Sequence, residues 1–543
     1  MRGLIYLSLI QRVRRESTSM ATYIRKEPAI MLLCSGFIVI VGALACLWFP
    51  HQLNPDATAY FTIAEKYAHF NILEALNSYW GPLFSWLLVP FVWLGIGLDA
   101  AARGLLVMAA AATLLVMYRF WRARGLSQLA GTSMCLVVAS VFAGWILLGA
   151  TSPDMIFTFL VALLAVRLDR FLATPTTRNG VWLGCVGALL YFAKGFGLYL
   201  FLAVLAGLAL WQWLRVDRTK TIRRIAPIVL SFAVLVVPFM IALSLKYHQP
   251  TTNSTGAYVH RVFGPLAQSH HPMLTAGPFA PPNDTATTVW EDPSLMMPLM
   301  PDWSPLQSRA NLSYFWHKII LNNLTITITT LSDMGALCAT AVLLLVMGCL
   351  NRGPGRTFRR EYIVLTLLSL TMIGGYTLVL TEPRYLWPVI VLALMGMGLW
   401  VARLEKKQLL SGAQIVLAGI LIAGFYILPL PAKLHDSRES AQSLYAQSQS
   451  LRPILTPHTR VIADNFMEYN VCYYLQLHCY AVMRTPVPGE EDTYYEQLKA
   501  VGIAYFIDYH TRDADPRLRA FIEQHFVAVD TPATTGLTLY RLR

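Results

Sequence analysis

Apolar stretches of about twenty residues recur along the first four-fifths of this chain, separated by short polar or basic segments. A hydrocarbon layer of roughly 30 Å takes about 20 apolar residues of helix, and within it each backbone N–H and C=O needs a partner in its own segment. The pattern therefore commits the chain to a polytopic α-helical membrane protein. The composition agrees, with 56% hydrophobic and only 13% charged residues among 543. About eleven spans are expected. The first runs from about Ile30 to Trp48, and the others lie near Ala101–Tyr118, Leu129–Leu148, Met155–Leu172, Gly180–Phe192, Leu198–Leu214, Ile225–Leu245, Asp333–Leu350, Tyr362–Leu380, Leu386–Ala402 and Ala413–Leu430.

Charge sets the sidedness. Arg12, Arg14, Arg15, Arg25 and Lys26 precede the first span and predict a cytoplasmic N-terminus. No Ala-x-Ala cleavage site follows that span, which reads as a retained signal anchor. The apolar stretch Gly81–Gly97 is laid along the outer interface, because counting it as a span would put Arg119, Arg122 and Arg124 outside. The basic clusters around Arg167, Arg215–Arg224, Arg352–Arg360 and Arg403–Lys407 then all fall in the cytoplasm. Topology thus accounts for the net charge of +13, and no nucleic acid is expected as a partner. The outer segments lie at about residues 50–100, 150–154, 247–318 and 381–385.

After residue 431 the composition turns soluble. The expected division is a membrane module over 1–431 and a small extracytoplasmic α/β domain over 432–543. Thr459–Asp464 and Val501–Asp508 read as strands, and Glu491–Ala500 and Pro516–His525 as helices. Asp515-Pro516 has the form of an N-cap with Pro at the first helical position, and Asp513-Ala-Asp515 has the spacing of a metal-holding carboxylate pair. Cys472 and Cys479 are either a short disulfide or two free thiols. On one continuous helix they would stand about 10.5 Å apart, so a bridge requires the helix to end between them.

Chemistry-bearing residues gather at the outer ends of helices: Asp56 after the first span, Asp154 in Thr151-Ser-Pro-Asp154, Lys194 before Gly195, and Glu382, Arg384 and Tyr385 in Thr381-Glu-Pro-Arg-Tyr385. Each also has a structural reading. Asp56 and Asp154 suit helix starts, Lys194 a side chain reaching to the headgroups, and Glu382 and Arg384 a local contact. Tyr60 on the helix after Asp56, and His260 and Arg261 in the long outer loop, are weaker substrate contacts. There is no Walker loop, Gly-x-Gly-x-x-Gly, His-Glu-x-x-His or Cys-x-x-Cys, so neither a nucleotide-driven pump nor a zinc enzyme is indicated. No cofactor or metal site is expected, and a divalent cation beside Asp154 is left open.

In order and sidedness these residues resemble the polytopic GT-C glycosyltransferases that use lipid-linked sugars, in particular the protein O-mannosyltransferases and the lipid A aminoarabinose transferases. The resemblance rests on Asp56 with Tyr60 and Ala64, on Gly81-Pro-Leu-Phe-Ser-Trp86, on Thr151-Ser-Pro-Asp154, on Lys194-Gly195 and on Arg384-Tyr385-Leu-Trp-Pro388. It departs in two places. Ala57 follows Asp56 where many members have an Asp-Glu pair, and Trp80-Gly81-Pro82 lacks the lysine of the aminoarabinose enzymes. The resemblance implies a bacterial inner-membrane enzyme with a periplasmic C-terminal domain and a polyprenyl-phosphate-linked sugar as donor. The acceptor would be a lipid, glycan or protein hydroxyl.

Chemistry assigns the roles. An outward-facing transferase has no nucleotide sugar at hand, and transfer from a lipid phosphate to a hydroxyl needs a base and cations for the departing phosphate. Asp56 is the expected base. Lys194 and Arg384 are the phosphate-binding cations, Tyr385 a neutral donor, and Asp154 a second acid that orients the acceptor. Attack opposite the phosphate inverts the sugar. Two other classes share some of these features: a surface-polysaccharide polymerase or ligase, and a transporter or flippase, which would place charges at mid-depth in broken helices.

Overall fold

The computed structural model describes residues 36–44, 47, 51, 53–148, 151–215, 217–266, 278–333, 335–350, 359–465, 468–510, 515–530 and 537–543. Residues 30–35, 45, 46 and 48 of the expected first span, the basic segment before it, and Asp513 lie outside the described residues. Among those described, six helices are long and apolar enough to cross a membrane: Leu98–Arg122, Gln128–Leu147, Phe196–Arg215, Arg218–Lys246, Pro383–Lys406 and Gly412–Ala432. The other expected spans also form helices, but these are shorter or carry more charge. Asp154–Ala173 holds Arg167, Asp169 and Arg170 in its last turns, and Thr177–Ala193 has 17 residues.

The elements that frame the expected outer end are α1 (Pro55–Ala68), α2 (Pro82–Trp93), α3 (Leu98–Arg122), α4 (Asp154–Ala173), α5 (Thr177–Ala193) and α6 (Phe196–Arg215). Proline opens α1 and α2, where its missing N–H costs nothing. With 12 residues α2 is roughly 18 Å long, too short to cross a bilayer. Gly81 lets α2 start hard against the end of α5: a Cβ there would lie 2.6 Å from the Phe192 carbonyl oxygen and 2.7 Å from that of Ala193. Lys194, the next residue, is thereby fixed beside the outer segments.

The long outer segment contributes α7 (Thr255–Val262) and two 3-10 turns, Val289–Glu291 and Pro293–Leu299. Its end was expected at Lys318, but the chain is already helical from Arg309, passes through a π-helical stretch Phe315–Ile320 and continues as α8 (Leu321–Asp333). The Thr/Ile alternation over 325–330 hides this helix. Thr325 and Thr327 resolve it by donating their hydroxyls to the carbonyls four residues back.

Outer segment and α1 are joined by a buried ion pair. Lys66 and Glu291 are only 4% and 2% exposed, and Lys66 Nζ also donates to Asn283 Oδ1 at 2.8 Å. Burial raises the Glu291 carboxyl above its ordinary range despite the ammonium beside it. Lys66→Met strands that carboxylate, and a loss of about 3–5 kcal/mol is expected. Thermal unfolding of the purified protein checks it: an unchanged midpoint would mean that the pair adds nothing.

The C-terminal sheet has the order β2-β1-β3-β5-β4, with β1 (Arg460–Ala463), β2 (His478–Cys479), β3 (Tyr505–Asp508), β4 (Phe526–Val529) and β5 (Thr538–Leu542). β1 runs parallel to β2 and β3, and β5 antiparallel to β3 and β4. The expected helices appear at Glu491–Ala500 and Pro516–His525, and Asp515 caps the second through the N–H groups of Arg517 and Leu518. The helix Glu468–Leu475 ends before β2, and Cys472 and Cys479 are bridged across that break, with Cα atoms 6.2 Å apart. Cys479 N–H donates to the Thr287 carbonyl and Ala481 N–H to that of Phe279, each at 2.9 Å, so this domain clamps the long segment that carries the two 3-10 turns.

Candidate active site

Asp56, Asp154, Lys194, Glu382, Arg384 and Tyr385, far apart in the chain, all line one cavity of about 1070 Å³. Asp56 stands in the first turn of α1 without capping it: Asn54 holds the cap position and makes no side-chain cap bond. Its carboxylate faces inward instead. Oδ2 accepts from Arg384 Nη2 at 2.8 Å, and Oδ1 accepts from Trp290 Nε1 at 3.2 Å.

Asp154, the first residue of α4, is likewise no cap. It is 3% exposed; Oδ2 accepts the Ser152 hydroxyl at 2.6 Å and Oδ1 accepts Lys194 Nζ at 2.5 Å. Both oxygens are thus held by protein donors. Among the described residues no group of three or more His, Cys, Asp or Glu is placed to hold a metal. Lys194 turns into the cavity. Its ammonium sits 3.9 Å from the centre of the Tyr385 ring, which in turn stacks on Tyr376 at 4.9 Å. The face of Tyr385, and not its hydroxyl, is what meets the cation.

Arg384 is the hub. It lies in the 3-10 turn Pro383–Leu386, which leads directly into the apolar helix Trp387–Lys406. Nε donates to Glu382 Oε2 at 2.7 Å and lies 3.7 Å from Asp154 Oδ2. The local Glu382–Arg384 contact expected from the sequence exists, but inside the cavity. Three carboxylates and two cations therefore converge in a space otherwise walled by apolar and aromatic side chains, among them Phe196, Tyr199, Phe263, Leu378 and Val379.

The weaker expectations divide. Tyr60 lines the cavity, buried between Trp80 and Phe84, and His260 lines it while stacked on Trp303 at 4.4 Å. Arg261 does not line it. Its guanidinium donates to the Met297 carbonyl at 2.8 Å and lies 3.5 Å from Asp302, because the next residue on a helix points about 100° away, so Arg261 ties the outer segment together. Sequence reasoning missed Trp290 and Ser152 as site residues. Trp290-Glu-Asp292, an aromatic beside two acids in a loop, was the available signal.

No protein-family model matches the sequence, and no curated protein matches it. In structure the chain is similar to the crystal structure of ArnT from Cupriavidus metallidurans bound to undecaprenyl phosphate. The TM-score is 0.54 at 13% identity, over 93% of this chain and 98% of that one. The apo state of the same protein gives 0.52 at 13% identity over the same shares. Along nearly the whole of its length, then, the chain has the fold of that protein.

Proposed function

We propose that this protein is a membrane glycosyltransferase that moves a sugar from a polyprenyl-phosphate donor to a hydroxyl acceptor at the outer face of a bacterial inner membrane, with inversion. The carrying observation is the convergence of Asp56, Asp154, Lys194, Glu382 and Arg384 on one wall of a largely apolar cavity. An isoprenoid suits the apolar part and a phosphate the cationic part. The fold is also that of ArnT, a protein solved with undecaprenyl phosphate bound.

In this reading the donor phosphate lies against Arg384 and Lys194. A guanidinium has five N–H donors, and the Glu382 and Asp56 contacts use two of them, so further donors remain for a bidentate grip on phosphate. Glu382 orients the fork, and Asp154 keeps Lys194 at the phosphate. As phosphate draws Arg384 toward itself, Asp56 Oδ2 becomes the base. The acceptor oxygen bonds to the anomeric carbon, its proton passes to Asp56, and the carbon–oxygen bond to phosphate breaks with its electron pair going to the phosphate. Lys194 and Arg384 stabilise the charge that gathers there. The acceptor, a lipid A-type glycolipid, another glycan or a protein, enters beneath the outer segment. The C-terminal domain would be periplasmic, and the module boundary falls near residue 432.

The test uses the full chain in lipid nanodiscs with a panel of undecaprenyl-phosphate-linked hexoses, pentoses and aminopentoses and an envelope glycolipid extract. At least one donor is expected to release undecaprenyl phosphate in an acceptor-dependent way. No release across the panel would overturn this reading, and movement of intact donor across the bilayer of sealed vesicles that hold the protein would replace it with that of a transporter.

A further inference from the structure

Trp290 comes from the outer segment, 234 residues after Asp56 in the chain, yet its indole N–H reaches one oxygen of that carboxylate at 3.2 Å. Its own placement is over-determined. Its carbonyl accepts the Trp80 indole N–H at 3.0 Å, the Glu291 carbonyl accepts the Asn77 amide at 2.6 Å, and the Glu291 side chain is pinned to Lys66 at the other end of α1. The ring meets Tyr79, Trp80 and Tyr258 with centroids 5.9 to 6.0 Å away, so it has little room to turn.

The bond matters because of what Asp56 would do without it. A carboxylate beside a guanidinium prefers the two-pronged arrangement, in which both oxygens meet parallel N–H groups. Here only Oδ2 is given to Arg384, and Oδ1 is held away by Trp290. We infer that Trp290 is a positioning residue that keeps the Asp56–Arg384 pair single-pronged, so that Arg384 stays open to a phosphate and Asp56 to a proton. The inference rests on the proposed phosphate role of Arg384. Once the N–H is removed, Asp56 rotates onto Arg384, and each group blocks the other.

Equilibrium binding of undecaprenyl phosphate tests this without needing turnover. Trp290→Phe keeps an aromatic ring and loses the donor together with the second ring, a loss of packing that the Asp56→Asn background shares. In the protein with Asp56, binding should weaken about fivefold, an ordinary coupling for groups in contact. In the Asp56→Asn background the same substitution should have no effect, because a neutral amide cannot form the two-pronged ion pair. Equal weakening in both backgrounds would make Trp290 a mere wall of the cavity, and no weakening in either would remove it from the site; both overturn the inference. If the unsubstituted protein does not bind undecaprenyl phosphate, the functional reading itself falls, which is a separate result. Should Trp290→Phe fail to purify as a single species, benzothienylalanine at position 290 keeps the bicyclic ring without the N–H and gives the same comparison.

Discussion

Asp56→Asn is expected to cut sugar transfer by about 10³-fold, within the range that a positioned base supplies, while the protein folds and still binds undecaprenyl phosphate. Asparagine keeps the shape of the side chain, and its amide oxygen can still accept from Trp290 or from Arg384. It cannot take the proton of the acceptor. The charge balance tolerates the change, since the site holds three carboxylates against two cations and removing one carboxylate leaves Arg384 with Glu382 and Asp154 nearby. Phosphate affinity should hold or improve, because Asp56 competes with phosphate for the same guanidinium edge. The measurement is the initial rate of acceptor-dependent undecaprenyl phosphate release beside a binding isotherm. A variant that turns over within tenfold of the parent would remove Asp56 as base and move the search to Asp154.

The membership of this site was legible in the sequence to the extent that topology dictates it. Apolar spans and their basic flanks predict which turns share a face of the membrane, and that alone gathered Asp56, Asp154, Lys194, Glu382 and Arg384 at one level. Their pairing was not legible. Asp56 and Arg384 are 328 residues apart and meet only because the helices pack, and no local pattern states that Lys194 pairs with Asp154. The same limit separates His260 from Arg261. A short helix in a loop has no bilayer to orient it, and its packing against Trp303 decides which neighbour faces the cavity.

In the C-terminal domain the two flanking helices were readable from their periodicity and from the Asp515-Pro516 start. The two-residue β2 was not, since it exists only through pairing with β1 and with the clamped outer segment. Trp290 falls under the same rule: its role is set by the buried Lys66–Glu291 pair and the C-terminal clamp, both of them long-range.

Arg384→Lys is the second large expectation, a fall in kcat/KM of about 10²-fold with weaker undecaprenyl phosphate binding, although the positive charge is kept. A guanidinium serves Glu382 from Nε and Asp56 from Nη2 at once, because its donors are fixed in one plane. An ammonium is a point charge on a flexible stem. It would settle on one carboxylate, leave another unmatched in a poorly solvated cavity, and offer phosphate one contact in place of a bidentate grip. Lys194 cannot compensate, since Asp154 and the Tyr385 ring hold it on its own side. The loss should appear in both binding and rate, because the same donors meet the phosphate in the ground state and gain strength as charge gathers on it. That pattern separates Arg384 from Asp56, whose replacement is expected to lower the rate alone. If Arg384→Lys binds undecaprenyl phosphate as tightly as the parent, the phosphate lies elsewhere in the cavity, and the reading of Asp56 as a base facing it would lose its geometric support.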